Sequence, residues 1–419
     1  MRRIGALAKI SNESGVVTRT FASPAMSRAN QLVAGWMRAV GMETHEDAIG
    51  NLIGHYARKA EAGKAGTGKA EAGKATEAKI LLLGSHLDTV RNAGKFDGPL
   101  GVLLALACVE KLHQKHLRLP FAINVAGFAD EEGVRYQSTY LGSKAVAGRF
   151  EPADLKRKDA DGISMADAIK NFGGDPAKIK AARLNPKNLI GYLEAHIEQG
   201  PVLEKENLAL GIVTGIAGQT RARVSFLGRA GHAGTTPMPL RRDALCAAAE
   251  FILAVETLAR RTPGLVATVG QIKAEPGVSN VIPGEVHLSV DIRHAKDSVR
   301  RSAQKAVKTI ALKIAARRKI KLDGEVVHET PATACSKYLS GLLEQSVKRH
   351  QKRTLRLASG AGHDAAILEQ ITPVAMLFIR CKNGISHHPG ESVKTGDVRV
   401  ALDVLNDFIL RLAKIHGHI

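Results

Sequence analysis

The chain alternates between solid apolar runs and amphipathic ones. "KILLLGSHLDTV", "FAINVAGFADEEG" and "NLIGYLEAHIEQG" each run apolar and then break into polar residues. A short continuous apolar run reads as a strand buried on both faces. Between the first two, "GPLGVLLALACVEKLHQ" reads as a helix. This alternation predicts an α/β fold with a largely parallel sheet. Ligands in such sheets bind beyond the carboxyl ends of the strands. His86, Asp88, Glu131, Glu132 and His196 all lie at or near such ends.

The middle third changes period. "QTRARVSFLG" reads as a strand, "PLRRDALCAAAEFILAVETLARR" as a helix, and "LVATVGQIKA" and "EVHLSVDIRH" as strands. Val299, Ala303, Val307, Ile310 and Ile314 then recur at helical spacing, and "KIKLDGEVVHE" closes the series as a strand. The order βαββαβ predicts a ferredoxin-like module at 214–329, inserted into a first domain formed by 1–213 and 330–419. After it come "SGAGHDAAILEQ", "ITPVAMLFIR" and "GISHHPGE". The heptad "KAEAGKA" occurs at Lys59 and again at Lys69, with no bulky residue to bury. That stretch is expected to be a mobile surface loop, with 57–78 a loop insertion.

Charge qualifies this picture. Sixty Lys and Arg against forty Asp and Glu give a net charge of +20. That balance admits nucleic-acid binding, steering of small anions, or a basic surface that keeps the chain soluble. Aromatic residues at 4% argue against base-stacking platforms. The densest basic stretch, 298–322, carries the helical apolar spacing above, so its charges read as a solvated helix face. No apolar run reaches the ~20 residues of a membrane helix, and "MRRIGALAKISNESG" is too broken for a secretory signal. Cys108, Cys246, Cys335 and Cys381 are far apart and form no C-x-x-C pair, as in a cytoplasmic protein with reduced thiols.

His86, Asp97, Glu132, His196 and His387 are the candidate metal ligands in chain order. Singly, each reads as a hydrogen-bonded core or surface residue. Imidazoles and carboxylates at successive strand ends suit zinc, manganese or a similar divalent ion. Asp97, in the glycine-bounded loop "AGKFDGPLG", is placed to serve two ions. Two ions about 3.5–4 Å apart activate water and polarise a carbonyl. Asp88 follows His86 by two, which on a strand puts both on one face. Its carboxylate is expected to orient the imidazole, with a turn cap as the alternative. Glu131 and Glu132 are adjacent and point apart on a regular strand, so one can bind metal while the other serves as general base.

The motifs "GSHLDTV", "GKFDGPLGV", "DEEG", "EAHIEQGPVLE", "GRAGHAGTTPM", "SNVIPGEV", "DIRHA", "SGAGHDA" and "GISHHPGE" resemble, in order, the amidase branch of the M20 dinuclear metallopeptidase family. That branch holds allantoate amidohydrolases, N-carbamoyl-L-amino-acid hydrolases and β-ureidopropionases. The resemblance runs from about residue 15 to the C-terminus and leaves out 57–78. It implies one divalent ion on His86, Asp97 and His196, and a second on Asp97, Glu132 and His387, with Asp97 bridging. It implies Glu131 as general acid and base and Asp88 as the residue that orients His86. Of the two histidines in "GISHHPGE", it selects His387 over His388. The inserted module would be a lid and dimerisation domain, so that the enzyme is a homodimer. His232 would polarise the substrate carbonyl, with Asn280 near it, and Arg293 would clamp the substrate carboxylate. Gln219, Gly360 and His363 would complete the pocket. The implied activity is hydrolysis of a ureido or carbamoyl C–N bond in a small carboxylate, allantoate first, without a nucleic-acid or membrane partner.

Overall fold

The computed structural model describes residues 1–59 and 79–417. The repeated heptads fall almost wholly at 60–78, so the loop expected there lies outside the described residues. The chain divides into two units. One comprises Met1–Thr214, Cys335–Leu357 and Gly362–Ile419, and the other comprises Gly215–Ala334 and Ala358–Ala361. The second unit thus continues to Ala334, past the 329 read from the sequence pattern.

The first unit is built on a mixed sheet. Its strands include β1 (Glu43–Glu46), β2 (Leu52–Tyr56), β3 (Ile80–His86), β4 (Ala122–Phe128), β5 (Leu189–Ile197), β6 (Leu210–Ile216) and the returning strand Val374–Ile379. They lie in the order β1-β2-β4-β3-β5-(Val374–Ile379)-β6. The four central strands run parallel, and β2 and β6 pair antiparallel on either side. The central strands carry the apolar runs for a physical reason. Both faces are covered, so every position of β4 and of Val374–Ile379 is buried. The helix Pro99–Gln114 packs on this sheet, with Leu103, Leu104 and Val109 in the same core as Leu83, Val125 and Leu193. Parallel register aligns His86 with Phe128 and His196 with Phe378. Two histidines therefore reach the carboxyl edge of one sheet from neighbouring strands.

The second unit has a four-stranded antiparallel sheet in the order β12-β7-β11-β9. Here β7 is Gly218–Leu227, β8 Gly231–His232, β9 Val266–Glu275, β10 Val281–Ile282, β11 Glu285–His294 and β12 Lys321–Thr330. The helix Ala244–Arg261 follows β7 and β8, and the helix Asp297–Arg318 follows β11. Phe226, Phe251, Val286, Leu288, Val290, Val307 and Ile314 form its core. Along β11, Val286, Leu288, Val290 and Ile292 are buried, while the residues between them are exposed or half-buried. One sheet face therefore packs on the helices and the other is polar. The basic helix is not solvated throughout, as its sequence suggested. Arg300 is fully buried, donating from Nε to Asp297 at 3.0 Å and from Nη1 to Glu329 at 2.7 Å.

Candidate metal centre

The carboxyl edge of the first unit's sheet gathers its candidate ligands around Asp97. His86 ends β3, and its Nδ1 lies 3.1 Å from the backbone oxygen of Asp88. His196 lies in β5, and its Nδ1 lies 2.9 Å from the oxygen of Ile197. A carbonyl only accepts, so both rings carry a proton on Nδ1 and turn Nε2 inward, the nitrogen that can bind a metal once it is unprotonated. The two Nε2 atoms face Asp97 Oδ1, at 3.0 Å for His196 and 3.8 Å for His86. Asp97 Oδ2 faces the other way, 3.2 Å from His387 Nε2, which is 3.6 Å from Glu132 Oε1.

Within each of two triads, His86–Asp97–His196 and Asp97–Glu132–His387, the ligand atoms lie within 4.8 Å of one another. The donor set fits divalent cations. Neutral imidazole lone pairs and a carboxylate are all acceptors, and burying them face to face is costly unless a proton or a cation lies between. Burial, with Asp97 nearby, pushes Glu132 up to about 7. The hydrogen bond to Asp97 holds His387 up at about 9. Zinc and manganese both suit this mixture of nitrogen and oxygen donors.

The surrounding residues explain the placement. Asp97 is followed by Gly98, at φ 80°, and by Pro99 in the first turn of a helix. A Cβ on Gly98 would come within 2.4 Å of the His86 ring, so only glycine lets this backbone approach the site. Glu391 Oε1 accepts the backbone N–H groups of Phe96 and Asp97 at 2.7 and 3.1 Å. Gln199 Nε2 donates to Asp97 Oδ2 at 2.7 Å, and Ser386 Oγ bonds the same oxygen.

Asp88 departs from its expected part. Its carboxylate lies 3.7 Å from His86 Nδ1, farther than its own backbone oxygen. The carboxylate instead accepts the backbone N–H of Glu131 at 3.2 Å and of Glu132 at 3.1 Å. Strand β3 ends at His86, so same-face geometry does not extend to residue 88. Glu131 and Glu132 follow Asp130, whose φ of 54° ends β4 in a sharp turn. Glu131 is buried, and burial together with Glu132 and Asp364 raises its carboxyl well above the usual range.

Four site residues escaped the sequence reading. Gln199 has a left-handed φ of 55°, and its signal was only its place three residues after His196. Glu194 is buried, accepting from Ser85 Oγ at 2.8 Å and from the N–H of Ala365 at 3.2 Å. Asp364 is buried, and its carboxyl is pushed up to about 8 by burial and Glu194. Glu391 was hidden because a glutamate in a loop carries no periodic signal. His363 packs edge-on to His196, ring centroids 4.5 Å apart.

The remaining candidates lie in the second unit. His232 on β8 pairs with Val281 on β10, and Asn280 precedes that strand, its backbone oxygen accepting from Ala233. His232 Nδ1 accepts the N–H groups of Gly234 and Thr235 at 3.0 and 3.2 Å. Its proton therefore sits on Nε2, which makes that nitrogen a donor. Gln219 and Arg293 donate to Asp291, and Arg293 also donates to the backbone oxygen of Gly360.

Known proteins resemble this chain over nearly its whole length. The chain is 41% identical over 401 residues to an N-carbamoyl-L-amino acid amidohydrolase of Geobacillus stearothermophilus, covering 96% of this chain and 94% of that one. It is 39% identical to a probable allantoate deiminase of Oryza sativa subsp. japonica, covering 97% and 87%. Among solved structures, a hydantoinase/carbamoylase family amidase of Burkholderia multivorans superposes with a TM-score of 0.89 at 30% identity, covering 98% and 96%. Residues 82–411 match peptidase family M20/M25/M40, and the chain belongs to that family.

Proposed function

We propose that this protein is a metal-dependent amidohydrolase that cleaves a ureido or carbamoyl C–N bond of a small carboxylate. Allantoate is the first-choice substrate, giving ureidoglycine, ammonia and carbon dioxide. N-carbamoyl-L-amino acids and β-ureidopropionate are the second reading, of which the 41% identity to an N-carbamoyl-L-amino acid amidohydrolase supports the first. The observation that carries the proposal is Asp97, whose two oxygens face two different ligand sets.

In this reading His86, Asp97 and His196 hold one divalent ion, and Asp97, Glu132 and His387 hold a second, zinc or manganese. The ions supply Lewis acidity that activates water and polarises the scissile carbonyl. Glu131 takes the proton of the attacking water and returns it to the leaving nitrogen. Its backbone N–H on the Asp88 carboxylate fixes where that carboxyl stands. His232 donates from Nε2 to the oxygen that gains charge at the tetrahedral stage, and Asn280 acts beside it. Arg293 clamps the substrate carboxylate as a two-pronged donor. Gln219, Gly360 and His363 complete the pocket.

The second unit, with element order βαββαβ, is read as a ferredoxin-like lid that also joins two copies into a homodimer. The reaction is assigned to the cytoplasm, in keeping with free cysteines at 108, 246, 335 and 381. No helix among the described residues is long and apolar enough to cross a membrane.

The test is ammonia release by enzyme loaded with zinc or manganese, given allantoate, N-carbamoyl-L-amino acids and β-ureidopropionate in parallel. Turnover of allantoate above the others is expected. Good turnover of the carbamoyl amino acids with none of allantoate would replace the first substrate with the second.

A further inference from the structure

In the second unit, β12 is an edge strand, paired only with β7. The register sets Leu322 opposite Phe226, Gly324 opposite Val224 and Val326 opposite Ala222. Phe226 and Val224 belong to the core under the helices, so these three β12 positions face the helix side. Helices should cover that side, yet Gly324 and Val326 are exposed and Leu322 is only half-buried. A Cβ built on Gly324 would meet only the backbone of β7 within 4 Å, and no atom of a helix. The helix Asp297–Arg318 thus stops short of the edge strand. A groove of 770 Å³ runs between the two, within the range of small-molecule sites.

The groove has two unlike ends. The chain turns back between Arg318 and Lys321, so helix and strand run in opposite directions. At the far end Arg300 Nη1 bonds Glu329 at 2.7 Å, which sets Arg301 beside that end of β12. Toward the turn, Leu312 on the helix and Leu322 on the strand line the groove with apolar surface. Arg301, Lys305, Lys308 and Leu312 follow one another at helical spacing, so they form one stripe along its wall. None of the three cations has a side-chain hydrogen bond or ion pair among the described residues. The acids of the strand are already engaged. Glu329 is taken by Arg300, Glu325 by Arg223 at 3.0 Å, and Asp323 accepts the N–H of Gly324. Charge complementarity therefore selects the occupant. A neutral apolar molecule would leave the cations unpaired, and a small polar anion would leave the floor uncovered.

We propose that this groove is a binding site for a medium-chain acyl carboxylate. Its carboxylate meets Arg301 and Lys305, and its chain lies over Gly324 toward Leu312 and Leu322. Guanidinium and ammonium groups hold a carboxylate through charge-assisted hydrogen bonds. The missing side chain at Gly324 leaves the slot that the chain fills. From Arg301 to Leu312 the helix rises about 16 Å, room for a carboxylate and an extended chain. Every residue of the groove lies in the second unit, and none of them has a part in the proposed hydrolysis. The site is therefore a second one, independent of which C–N bond the metal centre cleaves.

The experiment is calorimetric titration of the full-length, metal-loaded protein with decanoate, octanoate and 1-octanol, each below its aggregation limit. Decanoate is expected to bind about ten-fold tighter than octanoate, the effect of two more buried CH₂ groups. Octanoate is expected to bind tighter than 1-octanol, which has the chain without the charge. Lys305→Gln combined with Lys308→Gln should weaken decanoate by about five-fold and leave 1-octanol unchanged. Leu312→Gln should shrink the gain from octanoate to decanoate. All three positions are exposed on a helix and glutamine is a good helix former, so both variants should fold and release ammonia as the wild type does. Equal affinity for octanoate and 1-octanol overturns the inference. So does decanoate binding that both variants leave unchanged, which would place the anion elsewhere, the metal centre included. A wild type that binds no decanoate also overturns it. Sedimentation of the same samples then shows whether a second copy covers the groove, by a dimer that Leu312→Gln weakens.

Discussion

Glu131 is held from two sides. Its N–H bonds the Asp88 carboxylate at 3.2 Å, and its carbonyl accepts from the N–H of Tyr140 at 3.3 Å. A carboxyl so fixed, beside Glu132, suits proton transfer. Glu131→Gln keeps the shape and loses the base. It is expected to bind metal as before and to lose turnover by about 10²–10⁴-fold, read by metal analysis and steady-state assay on the same sample. Turnover near the parent's would remove Glu131 as base. Asp88→Ala strips the acceptor from the N–H groups of both Glu131 and Glu132. It is expected to weaken the metal affinity of the site by about 10–100-fold, read by competition with a chelator. Unchanged affinity would return Asp88 to a plain turn residue. What the sequence could not convey is clearest here. His86 and Asp88 were paired by strand spacing, but the strand stops between them, and a turn's geometry is set by contacts with distant residues. Gln199 and Glu391 were invisible for a related reason. They reach Asp97 through loop conformations that leave no periodic trace.

At the scale of elements, the strand ends were readable because burial on both faces forces continuous apolar runs. The polar residues that interrupt β3, β4 and β5 therefore mark the carboxyl edge, and His86, Glu132 and His196 were found there. Asp291 leaves no such trace, because an Asp–Arg pair on a half-exposed strand reads the same whether or not its side chains bond each other. A basic residue in a basic helix reads as solvated, but Asp297 and Glu329 allow Arg300 to be buried. The loop-to-helix junction after Asp97 yields a sharp prediction. Gly98 combines a φ of 80° with contact against His86. Gly98→Ala carries a backbone cost of about 1 kcal/mol and must displace the ring. Lower metal content is expected, together with a lower Tm. A variant with full metal content and the parent's Tm would show that the close approach does not matter.

Across the whole molecule, the +20 charge raises the question of a polyanionic partner. Many of the cations are already paired. Arg317 and Arg318 bond Glu250, Arg380 bonds Asp397, and Arg356 and Lys348 share Glu344. Pairing leaves the net charge at +20, a balance that suits attraction of small anions. Filter binding of duplex DNA at two salt concentrations is expected to show no tight, strongly salt-dependent complex; such a complex would reinstate nucleic acid as a partner. The most direct test of the account is the number of ions bound, because it depends on Asp97 serving two sites. Equilibrium dialysis with zinc or manganese, read by elemental analysis, should give two ions per chain for the wild type, one for His387→Ala and none for Asp97→Ala. A wild type that saturates at one ion, or an Asp97→Ala variant that still holds two, would contradict the bridged dinuclear centre.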